Sequence, residues 1–122
     1  MTVIIADDHI QMREIIKKII SAENSFDRII ECQEGAGAFT AAVNENPDLI
    51  LMDLLMKGMD GFTAIKKIRD FNKKVPIIVV TQFQEKDFKD EVLKLGADAF
   101  VNKDSLLSLP AIITALLNKT KK

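Results

Sequence analysis

Short aliphatic runs that alternate with stretches of helical spacing predict an α/β chain, a doubly wound five-stranded parallel sheet with helices on both faces. Three observations carry this. Five runs rich in Ile and Val have strand length: "TVIIA" (Thr2 to Ala6), "RIIEC" (Arg28 to Cys32), "LILM" (Leu49 to Met52), "PIIVV" (Pro76 to Val80) and "AFV" (Ala99 to Val101). Each is followed by a segment whose apolar residues recur three and four apart. The first, third and fourth runs are apolar nearly throughout, as strands covered on both faces must be. The second and fifth are shorter or more polar and suit the edges. Right-handed crossovers with those two outermost give the strand order 2-1-3-4-5.

Taken in order, the helices follow from their stripes. Met12, Ile15, Ile16, Ile19 and Ile20 mark the inner face of the first. Phe39, Ala42 and Val43 mark the second, and Phe62, Ile65 and Ile68 the third. Phe88, Val92 and Leu95 mark the fourth, with Gly96 placed to cap its C-terminus. Ile112, Ile113, Leu116 and Leu117 mark the fifth, opened by Ser108 and Pro110. All five stripes read as core packing. The closing "NKTKK" reads as a solvated helix end or the start of a linker.

The chain of 122 residues has the length of one domain, spanning 1–122. With 48% hydrophobic and 29% charged residues, it has the apolar content to bury a core, which argues against disorder. Seventeen basic against eighteen acidic residues give a net charge of −1, which argues against a strongly basic nucleic-acid surface. Any DNA contact would fall to another domain. The single cysteine, Cys32, cannot form an internal disulfide and reads as a small core residue in a reducing compartment. The opening "MTVIIADDH" turns acidic too soon for a signal peptide, and no apolar run is long enough to span a membrane. The expected location is the cytoplasm.

The chemistry lies where the strands stop. The first ends in Asp7 and Asp8, the third in Asp53, the fourth in Thr81, and the fifth leads to Lys103. In an open parallel sheet these carboxyl ends share one rim, and ligands bind where the winding direction reverses, here between strands one and three. Each residue alone has an ordinary role as a loop acid, a cap, a strand end or a surface lysine. Their coincidence at strand ends is the signal. Three converging carboxylates repel one another unless a cation intervenes, and a hard divalent ion such as Mg²⁺ suits an all-oxygen set. His9 beside the acid pair is weak evidence for a transition metal and reads as a loop residue.

The motifs "IIADDH", "DLILMDLLMKGMDG", "IIVVT" and "GADAFVNK" together resemble the receiver domain of two-component response regulators, over essentially the whole chain. That family has a flavodoxin-like fold of the strand order above. The resemblance implies that Asp53 accepts a phosphoryl group from a phosphohistidine on a sensor kinase or phosphotransfer protein. It implies that Asp8, supported by Asp7, holds Mg²⁺ with Asp53 and the main-chain carbonyl of Leu55. Thr81 would bond one phosphoryl oxygen and Lys103 pair with another, and Phe100 matches the aromatic position that turns inward when the threonine moves. The face built from helix four, strand five and helix five would carry the switch to an output or a homodimer. Leu55 and Phe83 stand two residues after Asp53 and Thr81, at positions that in this family tune how fast the phosphoaspartate hydrolyses.

Departures from the family pattern concern rates and output. Lys57 stands where proline is usual, Gln82 where a small residue is common, and Asp104 follows Lys103 in place of proline. The Lys-Asp pair and "DDH" resemble receivers of LuxR-type regulators. Rival functions fit less well. A flavin carrier of this fold needs a hydroxyl- and glycine-rich loop after the first strand, where this chain has "ADDHIQ". A phosphohydrolase using an aspartyl phosphate needs Asp-x-Asp at the end of the first strand, and that pattern is absent. A degenerate receiver would lack one of the expected catalytic residues, and all are present.

Overall fold

A computed structural model describes residues 1–24 and 26–120. Its elements run β1 (Thr2–Ala6), α1 (Ile10–Glu23), β2 (Arg28–Cys32), α2 (Gly35–Glu45), β3 (Leu49–Met52), α3 (Gly61–Phe71), β4 (Ile77–Thr81), α4 (Glu85–Leu95), β5 (Ala99–Asn102) and α5 (Leu109–Thr120). A 3-10 stretch, Lys103–Ser108, links β5 to α5. All strand pairs are parallel, in the order β2-β1-β3-β4-β5. The doubly wound sheet expected from the sequence is the one observed.

Side chains alternate across each strand, and this period of two builds two cores. Ile4, Ile50, Met52, Ile77 and Val79 face the helix layer that contributes Ala38, Ala42, Ile65, Ile68 and Val92. Val3, Ile5, Leu49, Leu51, Ile78 and Val80 face Ile16, Ile20, Ile113 and Leu117. β3 and β4 are buried at every residue, whereas β2 and β5 are buried at one each, as edge strands should be. Cys32 closes β2 within the first core, and burial pushes its thiol pKa up. No helix among the described residues is long and apolar enough to cross a membrane.

Several local details differ from the sequence reading. β4 runs one residue later than the apolar run, ending on Thr81. β5 continues through Asn102, which pairs with Thr81. In α1 the inner face is turned: Arg13 is buried beside Ile16 and Ile20, while Ile15 is 44% exposed. The cause is a polar partner for Arg13 at the end of β1, described below. Val43 likewise lies outside the α2 stripe, which is built on Ala38 and Ala42. Ser108 immediately precedes α5, but its hydroxyl donates to the Ser105 carbonyl at 2.7 Å and closes the 3-10 stretch. Gly96 does cap α4, at φ 117°, where a side chain would be strained and would meet the Arg69 stem. The closing tail is helical to Thr120, with Lys121 and Lys122 outside the described residues.

The turned face of α1 is testable. Ile16→Ala should lower unfolding free energy by about 2–5 kcal/mol, the range for a fully buried aliphatic truncation. Ile15→Ala should change it by less than about 0.5 kcal/mol, as at other exposed positions. Urea unfolding of both variants decides between the two faces, and equal losses would refute the assignment.

Candidate functional site

Asp53 follows the last residue of β3, and its main chain continues the sheet, with its N–H donating to the Ala6 carbonyl at 2.9 Å. One carboxylate oxygen accepts from the Leu54 N–H at 2.7 Å. Gly61, the first residue of α3, packs against this turn so closely that a Cβ would stand 2.1 Å from the Asp53 carbonyl oxygen. The Gly61 N–H donates to the Leu54 carbonyl, and Asp60 caps the helix by accepting from the Thr63 N–H at 2.8 Å. The turn after β3 is therefore clamped, and Asp53 is only 4% exposed.

Asp7 follows β1 and is 1% exposed. Its N–H extends the sheet to the Cys32 carbonyl at 3.0 Å, and its own carbonyl accepts from Arg13 Nη1 at 2.6 Å. Arg13 Nε donates to Glu31 at 2.9 Å, and Lys17 reaches the same carboxylate at 3.1 Å. The Arg13 guanidinium holds the Glu31 carboxyl below its ordinary pKa range. Arg13 thus ties the end of β1 to α1 and β2. The sequence signal was a charged residue between Met12 and Ile16, on a stripe otherwise apolar.

Lys103 joins the two strand ends. Its Nζ donates to Asp53 Oδ2 at 3.0 Å and forms a close ion pair with Asp7 Oδ2 at 2.8 Å. Burial alone would lower the lysine pKa, but the two carboxylates outweigh it and hold it above the ordinary range. Asp8 Oδ1 lies 2.9 Å from His9 Nδ1. His9 opens α1, and its N–H donates to Asp7 Oδ1 at 2.9 Å.

A cleft of about 60 Å³ opens over these groups, lined by His9, Asp53, Leu55, Thr81, Gln82, Phe83 and Lys103. Thr81 is buried at the end of β4, and its hydroxyl oxygen meets the Phe83 N–H at a long 3.5 Å. Leu55 is 66% exposed at the mouth, and Phe83 packs on Phe88 of α4 with ring centres 4.6 Å apart and planes tilted by 50°. Phe100 is partly buried against the first core, away from the cleft lining. Lys57 is exposed, and so is Asp104, whose N–H donates to Asn102 Oδ1 at 2.8 Å. Asn102 also binds the carbonyls of Gln82 and Phe83, a contact that the sequence reading did not foresee.

The donor set fits a hard divalent cation. Asp8 Oδ1 is buried and receives no hydrogen bond, with the His9 ring nitrogen 2.9 Å away, a state of a carboxylate oxygen that a cation would relieve. Donor atoms of Asp7, Asp8 and His9 lie within 4.8 Å of one another. Formally, three carboxylates against the single Lys103 ammonium leave two negative charges, the charge a divalent ion neutralises.

This arrangement at the switch point of a five-stranded parallel sheet agrees with what the chain is similar to. The family model of the response regulator receiver domain matches residues 3–116. The chain belongs to that family, whose members are signalling switches of two-component systems rather than enzymes that turn over a substrate. The transcriptional regulatory protein YdfI of Bacillus subtilis is 38% identical over 103 residues, covering 84% of this chain and 48% of that protein. The oxygen regulatory protein NreC of Staphylococcus aureus is 30% identical over 106 residues, covering 86% of this chain and 49% of that protein. Among solved structures, a LuxR-family DNA-binding response regulator from Staphylococcus aureus superimposes with a TM-score of 0.87 at 25% identity, covering 96% of this chain and 98% of that one. The chain spans about half the length of the curated relatives it matches.

Removing the Arg13 anchor should be felt at the site. Arg13→Ala leaves the buried Asp7 carbonyl without its donor and should cost about 1–3 kcal/mol in urea unfolding. Arg13→Lys keeps the charge but cannot span Asp7 and Glu31 with a planar fork, so it should recover less than half of that loss. Full recovery by lysine would show that charge alone matters.

Proposed function

We propose that the chain is a phosphorylation-operated switch in which Asp53 takes a phosphoryl group from a phosphohistidine on a sensor kinase or phosphotransfer protein. The observation that carries this is the Asp53 carboxylate, buried at a strand end, open to a small cleft and paired with Lys103. In the transfer, an Asp53 oxygen bonds phosphorus as the phosphorus–nitrogen bond of the donor breaks. The leaving imidazole keeps the electron pair and takes a proton from water. Mg²⁺ held by Asp7, Asp8, Asp53 and the Leu55 main-chain carbonyl would supply charge neutralisation at the phosphoryl oxygens. Lys103 would pair with one of those oxygens, and Thr81, once its loop has moved, would bond another through its hydroxyl.

The new group adds roughly one to two negative charges and strong acceptors beside Thr81. Drawn toward them, Thr81 moves its loop, and Phe100 turns into the space vacated. The change is then read on the face of α4, β5 and α5, through a partner or a second copy of the chain. Leu55 and Phe83 offer no hydrogen bond to an attacking water and shield the phosphoaspartate, which favours slow hydrolysis. The near-neutral surface fits a domain without DNA contacts of its own. In a longer protein like its relatives, working in the cytoplasm, the remaining half would supply the DNA-binding output.

Intact-mass analysis after incubation with acetyl phosphate tests the reading. With Mg²⁺ the wild type should gain one phosphoryl group, and chelation with EDTA should abolish the gain. Asp53→Asn should stay unmodified while still folded. After the donor is removed, Leu55→Asn and Phe83→Glu should lose phosphate several-fold faster than wild type. Continued modification of Asp53→Asn would overturn the acceptor assignment, and unchanged decay in both polar variants would overturn the shielding.

A further inference from the structure

We propose that Asn102 is a positioning residue that fixes where residues 82–84 rest, and thereby sets how readily the cleft takes a phosphoryl group; the second part rests on the reading of Asp53 above. Asn102 ends β5 directly opposite Thr81. Its Nδ2 donates to the Phe83 carbonyl at 2.8 Å and to the Gln82 carbonyl at 3.3 Å. Its Oδ1 accepts the Asp104 N–H at 2.8 Å and so caps the 3-10 stretch that begins at Lys103. One carboxamide therefore ties the loop after Thr81 to the loop that carries Lys103. These are two of the loops that flank Asp53.

The loop it holds belongs to no strand or helix, so its backbone lacks the regular hydrogen bonding of either element. The Thr81 hydroxyl oxygen meets the Phe83 N–H only at 3.5 Å, at the limit of a hydrogen bond. The Asn102 contact to Phe83 is far shorter. It is also tightly placed, because Oδ1 is fixed by the Asp104 N–H and a carbonyl displaced by about 1 Å leaves hydrogen-bond range.

The sign of the effect follows from what each position of the loop satisfies. In this structure the Thr81 hydroxyl oxygen accepts from the Phe83 N–H of its own loop at 3.5 Å. In the switch proposed above, the loop moves as Thr81 bonds a phosphoryl oxygen on Asp53, and the Gln82 and Phe83 carbonyls then leave Asn102. Contacts made only in the resting position oppose a ligand that selects the other. Losing them should tighten binding by roughly two- to tenfold, the range for one ordinary hydrogen bond. The loop position is also passed on. Phe83 packs on Phe88 of α4, and Phe88 meets Phe62 of α3 edge-on at 5.5 Å.

Two variants separate the clasp on the loop from the cap on the 3-10 stretch. Asn102→Ser keeps a short acceptor for the Asp104 N–H but cannot reach the two carbonyls, and Asn102→Ala keeps neither. Beryllofluoride, with Mg²⁺ present, is the phosphoryl probe, followed by amide NMR. Both variants should bind it roughly two- to tenfold more tightly than wild type. Without the probe, their Phe83 and Phe88 amide signals should already be displaced toward the bound positions. Unchanged or weaker binding with stationary signals overturns the proposal, and so does an effect confined to Asn102→Ala, which would make the cap the active element. If the wild type binds no beryllofluoride, the reading of Asp53 fails separately. The ligand-free Phe83 signal then decides the clasp, which is refuted if that signal stays in place in Asn102→Ser.

Discussion

Asp7 and Asp53 end adjacent parallel strands, so their carboxylates face the same side of the rim, and the Lys103 ammonium between them is what makes that tolerable. Leaving one buried carboxylate unpaired costs several kcal/mol, and two facing each other repel as well. Lys103 follows β5, which lies two strands from β3. At the usual strand spacing that gap is about 10 Å, and only a side chain as long as lysine or arginine can cross the end of β4 to close it. The bridge therefore passes Thr81, and the same cleft holds the acid, the hydroxyl and the ammonium. Strand order, the length of one side chain and the convergence of charge are one constraint.

The rest of the fold serves to hold those strand ends still. Beneath the rim, β1, β3 and β4 carry side chains buried on both faces, which makes this part of the sheet stiff. Above it, Asp7 is fixed through its N–H to Cys32 and its carbonyl to Arg13, and Asp53 through Ala6 and the close approach of Gly61. The segment after Thr81 is different. It is tied by one carboxamide and by ring packing, contacts that can be exchanged for others at low cost. A rigid acceptor beside a lightly held loop is the arrangement a switch requires.

Strands and strand order were legible because burial on both faces leaves a continuous aliphatic run, and right-handed crossovers leave few topologies. The rim residues were legible for a related reason: polar and charged residues fall together at the ends of several such runs, although each alone has an ordinary role. What escaped was set by partners far away in the chain. Arg13 looked like a polar interruption of an Ile stripe, and only the Asp7 carbonyl and Glu31 explain why it points inward while Ile15 points out. The 3-10 stretch from Lys103 to Ser108 has no hydrophobic period, so its hydrogen bonds define it rather than its pattern. Asn102 is polar at an edge strand, an unremarkable position until Thr81 is known to lie opposite.

The Lys103 bridge can be observed directly by following the Lys103 side-chain NMR signals against pH. With its pKa raised in the folded state, the lysine contributes stability that is fully present below the ordinary lysine range and lost as pH rises through the raised value. Lys103 should therefore titrate above the exposed lysines of the same protein, and stability should fall on the alkaline side as it does so. In Asp53→Asn the titration should move back toward the ordinary range. A Lys103 that titrates with or below the exposed lysines, indifferent to Asp53→Asn, would contradict the bridge on which the site is built.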